Sequence, residues 1–261
     1  MGQIRLRQQL DDQVNIADAY NQLGFIYQEW GKYEQAIKYF QDSCNLYKHL
    51  NISESEARIL TRLAYTQIFL AKTYQDEALA LNLLTQAEQN LLHAIQLNTT
   101  GDYKENLAYD YTTLGLLYSE RLRLLPSNDS SRQEQITQFE QHYLTGLTYL
   151  TELGQTVDRA DEALDMARAY LEVEALENLD LAQEIAQECL QIFDEYNRYK
   201  QKASALKLLG EIYLKRSQQN YPNTRAIATQ FLSESLQIYQ ELDLSEKALE
   251  VEQLIHSSMG G

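Results

Sequence analysis

Apolar residues recur along this chain three, four and seven positions apart, the spacing of one helical face, with no sustained alternation of the kind a strand requires. In the stretch "ADAYNQLGFIYQEWGKYEQAIKYF", Ala17, Leu23, Gly24 and Tyr27 mark one helix, the chain turns at Gly31, and Ala36 and Phe40 mark a second. The first set is an alanine, a Leu or Met six positions on, a Gly or Ala next, and an aromatic three further. It returns as Ala57/Leu63/Ala64/Gln67, Ala108/Leu114/Gly115/Tyr118, Ala160/Met166/Ala167/Tyr170 and Ala203/Leu209/Gly210/Tyr213, and only Gln67 breaks the aromatic position.

Each set is followed by a second helical pattern ending on a small residue: Ala36/Phe40/Ser43, Ala87/Leu91/Ala94, Phe139/Tyr143/Gly146, Ala182/Ala186/Cys189 and Ala228/Leu232/Ser235. From that small residue to the next opening alanine the distance is 14 residues in all four cases. Small residues in both helices let two backbones approach, and the aromatics fill the flanks. A helix pair of this kind cannot bury its face alone, so stacking of neighbours is predicted.

The repeat length varies, with opening alanines 40, 51, 52 and 43 residues apart. All of the variation falls between the two helices of a pair. In the second pair, "AKTYQDEALALNLLTQAEQ" has no Pro or Gly, which predicts two lengthened helices. The third and fifth pairs instead carry turn-rich insertions at 126–134 and 217–225, containing the only prolines, Pro126 and Pro222.

The segment "YNQLGFIYQEWGKYEQAIKYFQDS" resembles the tetratricopeptide repeat. Leu23, Gly24, Tyr27, Gly31, Tyr33, Ala36, Phe40 and Ser43 stand at that family's signature positions, with Tyr20 in place of its early Trp. The long units are similar to the branch found in kinesin light chains and bacterial signalling proteins. The resemblance implies an all-α fold: a right-handed superhelical solenoid of about five helix-turn-helix repeats, at 17–56, 57–107, 108–159, 160–202 and 203–244. Residues 1–16 read as a partial second helix or cap. Residues 245–261, opening on Ser245 and Glu246 as an N-cap signal, read as a closing helix and tail.

Composition narrows the partner. The chain has 261 residues, 44% of them apolar, with 38 acidic and 22 basic side chains and a formal charge of −16. Nucleic acids and anionic membranes gain affinity from cationic side chains, so neither is an expected partner. Cys44 and Cys189 fit no CxxC or zinc spacing, which suggests a reducing compartment. With no signal peptide or membrane span in the sequence, the expected location is cytoplasmic.

No HExxH, GxSxG or Gly-rich phosphate loop is present, so no catalytic residue, metal ligand or cofactor is expected and the chain is read as a non-enzyme. His49, His93, His142 and His256 are scattered singly. Tyr27, Tyr118, Tyr170 and Tyr213 hold the repeat's packing position and read as core.

The resemblance places other first-helix positions on a concave groove: Asn21, Phe25, Gln28, Arg58, Thr61, Tyr65, Tyr109, Thr112, Leu116, Leu164, Arg168, Lys207 and Glu211. Aromatics and Arg dominate binding hot spots. The Lys and Asn with which some family members clamp C-terminal carboxylates are absent from these positions, which argues against a co-chaperone role. The expected function is a protein-interaction scaffold that holds a peptide segment or protein surface. The alternatives are a sensor module of a larger bacterial signalling protein, binding a small effector, and self-association through edge repeats.

Overall fold

A computed structural model describes residues 2–219, 221 and 223–259. The described residues form eleven α-helices and no strand: α1 (Gly2–Glu29), α2 (Tyr33–His49), α3 (Ser53–Thr73), α4 (Glu77–Gly101), α5 (Lys104–Leu124), α6 (Arg132–Glu152), α7 (Thr156–Glu172), α8 (Leu179–Glu195), α9 (Tyr199–Gln218), α10 (Thr224–Glu241) and α11 (Ser245–Met259). The fold is an all-α helical-repeat solenoid. It divides into two compact units between Tyr149 and Leu150.

In the first unit α1 packs on α2, α2 on α3, and α3 on both α4 and α5. In the second, α7 packs on α8 and α9, α9 on α10, and α11 on α10 and α9. The partners run antiparallel: in the first pair Ser43 meets Ala17, Phe40 meets Gly24, and Tyr39 meets Tyr27.

The constant 14-residue spacing has a backbone cause. Asn51, Asp102, Gly154, Asn197 and Asp243 all adopt left-handed φ, between 55° and 69°, eight residues beyond the small residue of each second helix. In each turn the next residue's N–H reaches back to a carbonyl in the helix's last turn: Ile52 to Tyr47, Tyr103 to Asn98, Gln155 to Leu150, Arg198 to Phe193 and Leu244 to Tyr239, at 2.8–3.0 Å. This is the Schellman closure, which satisfies orphan carbonyls and fixes where the following helix starts. One turn repeated five times holds the register.

The turns within pairs differ as expected. Both helices of the second pair are long, 21 and 25 residues, and Asp76 caps α4 by accepting from the Ala78 and Leu79 N–H groups. The third pair loops out between Leu124 and Arg132, around Pro126. A 3₁₀ turn at Glu174–Leu176 joins α7 to α8, and the fifth pair turns between Gln218 and Thr224. Pro222 lies outside the described residues.

Three expectations change. Residues 2–16 are not the tail of a separate helix but continue into α1 without a break. Ser245 is the first residue of α11 rather than its cap, because the preceding turn already closes through Leu244. Leu23 is 37% exposed, whereas its counterparts Leu63, Leu114, Met166 and Leu209 are exposed by 5%, 1%, 4% and 0%. The helices α3, α5 and α9 also pack on the second helix of the pair before, α2, α4 and α8, whereas α1 packs chiefly on α2 and meets α3 through Gln28 and Phe25.

Candidate functional site

The groove positions of the first unit lie on α1, α3 and α5. Phe25 is 43% exposed, and the Arg62 guanidinium sits over its ring at 5.8 Å. Gln28 accepts a 2.7 Å hydrogen bond from Thr66, which ties α1 to α3. Arg58 is exposed, and Tyr65 and Tyr109 are half-buried; Tyr65 packs on Phe69 at 4.7 Å between ring centroids. Asn21, Thr112 and Leu116 are buried in the helix stack. Thr61 donates to Asp110 and to the Ala57 carbonyl, so its hydroxyl is spent within the fold.

In the second unit the corresponding positions form an ion network. Arg168 contacts Glu172 at 3.4 Å and Glu211 at 3.3 Å, while Lys207 contacts Glu211 at 4.0 Å and Glu250 of α11 at 2.8 Å. Burial pulls the Arg168 guanidinium down, but Glu211 and Glu172 outweigh it and hold the group above its ordinary value. Leu164 is buried. These cations are matched within the unit.

Three clusters escaped the sequence reading. The first is Asp110, fully buried on α5, which accepts from Thr61 of α3 and from Asn98 of α4 at 2.7 Å. Burial raises its carboxyl to about 6, against the pull of those two donors. The second is a ring ladder between α5 and α6. Tyr149, Tyr111, His142 and Tyr118 stack in turn at 6.0, 5.8 and 5.4 Å, and Arg121 covers Tyr118 at 5.6 Å. Glu88 of α4 closes it, accepting from Tyr118 at 2.9 Å and Arg121 at 2.7 Å. The lone His142 is therefore a packing residue.

The third is a cavity of about 100 Å³ lined by Ala71, Lys72, Tyr74, Leu84, Glu120, Arg123 and Leu124. Glu120 is buried there between Lys72 at 3.0 Å and Arg123 at 3.3 Å. No group of three or more His, Cys, Asp or Glu among the described residues is arranged to hold a metal ion. No helix among them is long and apolar enough to cross a membrane.

Antiparallel helix pairs closed by one recurring turn define a helical-repeat protein. The tetratricopeptide repeat family model matches residues 17–49, which span the paired parts of α1 and α2. Residues 17–49 thus carry a tetratricopeptide repeat. No curated protein matches its sequence. Repeats of this family are generally non-catalytic modules that bind other proteins or peptides.

Proposed function

We propose that the chain is a non-catalytic scaffold holding a peptide segment or protein surface on its first-helix face. The observation that carries this reading is Phe25: a large ring 43% exposed on a helix whose equivalents otherwise face inward or carry polar groups. Arg58, Tyr65 and Tyr109 continue the same face on α3 and α5, and Asn21, Thr112 and Leu116 form the floor that positions them. The spacing of the opening alanines, 40 to 52 residues, supports the long-repeat branch. Buried, unpaired Cys44 and Cys189 support a reducing, cytoplasmic location.

The test is affinity capture with the native chain against Phe25→Ala/Tyr65→Ala/Tyr109→Ala, after circular dichroism shows equal helicity. A partner held by the first and lost by the second supports the reading; equal capture by both overturns it. Self-association through the edge repeats draws support from one feature, the exposed strip of Ile16, Leu23 and Ile26 on α1 continued by Trp30 in the turn after it. Light scattering against concentration tests it, and a mass that stays monomeric in the native chain counts against it.

A further inference from the structure

We infer that the cavity between the second and third helix pairs is a binding site for a small zwitterion, an α-amino acid with a short apolar side chain. The site lies at the C-terminal ends of α3 and α5 and does not depend on the first-helix face binding anything.

The cavity exists because one boundary between pairs departs from the others. Twelve residues after the opening alanines Ala57, Ala108 and Ala203 stand Phe69, Glu120 and Lys215. Three residues before Ala36, Ala87 and Ala182, in the second helix of the pair before, stand Tyr33, Leu84 and Leu179. Between the first two pairs, Tyr33 and Phe69 meet with their ring centroids 6.1 Å apart. In the second unit, Lys215 reaches the Leu171 carbonyl and Glu177, both at 2.6 Å. Between the second and third pairs, Leu84 and Glu120 leave about 100 Å³ unfilled. Interiors keep few voids larger than a water molecule, and one water needs only about 10–15 Å³ of such space.

The walls are of two kinds. Ala71, Leu84 and Leu124 are apolar, whereas Lys72 and Glu120 set opposite charges side by side at 3.0 Å. Lys72 and Arg123 both meet the same carboxylate oxygen, Oε1, and among the described residues no hydrogen bond is made to Oε2. The Glu120 side chain is 6% exposed, so a hydrogen bond to it gains from the low local dielectric. Lys72 stands at the rim, and its ammonium has three donors, of which the Glu120 contact takes one.

A zwitterion answers both charges at once. Its ammonium donates to Glu120 Oε2, its carboxylate accepts from Lys72 Nζ, and its side chain lies against Leu84 and Leu124. A plain carboxylate or a plain amine answers one charge and brings an unmatched one of its own into a largely buried pair.

The test is a titration of 15N-labelled protein with L-alanine, and with propionate and ethylamine as the two halves of the zwitterion. L-Alanine is expected to shift the amide signals of residues 71–74 and 120–124, and each half to bind at least about tenfold more weakly. Lys72→Gln is expected to weaken L-alanine about tenfold. Glu120→Phe/Leu84→Tyr rebuilds the ring pair of the first boundary and is expected to abolish the shifts with helicity unchanged by circular dichroism; should that variant unfold, Lys72→Gln decides alone. Propionate or ethylamine binding as well as L-alanine reduces the site to attraction for one charge and overturns the zwitterion. Shifts that persist when the cavity is filled, or that ignore Lys72→Gln, place the ligand elsewhere and overturn the site. No shift with L-alanine leaves a void that holds water alone and overturns the proposal.

Discussion

The Cys189 thiol lies 3.2 Å from the Ala160 carbonyl oxygen, the position from which the Ser43 and Ser235 hydroxyls donate at 2.8 Å to Ala17 and Ala203. Gly146 fills the same place without a donor, and a Cβ there would stand 2.6 Å from the Ala108 carbonyl oxygen. In four of the five pairs the small residue of the second helix thus faces the carbonyl of the alanine opening the first.

Burial makes both thiols inert. Burial pushes Cys44 up to about 11 and Cys189 up to about 12, and the thiolate is the reactive species. Ellman's reagent is expected to find no thiol in the folded chain and two in guanidinium chloride. Cys189→Ser keeps the donor and is expected to change unfolding free energy by less than about 1 kcal/mol.

Gly115→Ala sets two effects against each other. Alanine in a helix interior gains about 1 kcal/mol over glycine, but its Cβ would stand 2.2 Å from the Tyr143 ring. Overpacking of a rigid aromatic costs about 1–3 kcal/mol, so a net loss is expected in urea denaturation. Adding Tyr143→Leu is expected to recover part of it; a stabilised Gly115→Ala protein would refute the close packing.

Two titrations act in opposite directions. Asp110 ionises at 3.8 when free and near 6 in the fold, so the folded chain gains stability as pH falls through 6 toward 4, by about 3 kcal/mol in full. Asp110→Asn is expected to flatten that slope in denaturation curves taken at several pH values. Burial lowers His142 from 6.5, partly opposed by Glu88, so its contribution is complete above 6.5 and lost as pH falls. His142→Phe keeps the ladder and is expected to remove that loss.

The one repeat without its aromatic has a substitute. Where Tyr27 stacks on Tyr39, Tyr118 on His142 and Tyr213 on Phe231, Gln67 accepts a 2.9 Å hydrogen bond from Asn90. Gln67→Tyr or Asn90→Tyr alone is expected to destabilise the chain. A double-mutant cycle is expected to return a favourable coupling of about 0.5–3 kcal/mol for the paired change; additive losses would mean the two positions are independent.

The helix pairs and the places of inserted residues were legible because small and aromatic residues recur at fixed intervals. The inter-pair turns were not recognised as one motif, because Asn51, Asp102, Asn197 and Asp243 replace the expected glycine. Asn and Asp tolerate left-handed φ through local hydrogen bonding and leave no conspicuous mark. The groove residues were read from the family resemblance laid over the helical period, which assigns a face but not its occupancy. Neither shows that Arg168 meets Glu211 43 residues away, while Arg58 has no ion-pair partner among the described residues.

Within the helix pairs the fastenings are much alike: in four of the five a small residue on the opening alanine, and most often rings or amides side by side. Between neighbouring pairs within each unit they differ, as Gln28 with Thr66, Thr61 and Asn98 with Asp110, and Arg168 with Glu211 attest. A duplicated pair therefore brings its own internal closure wherever it is copied. Its flanks, however, recognise only their present neighbours, so the order of the repeats is written into the polar contacts while their multiplication is left to the apolar ones.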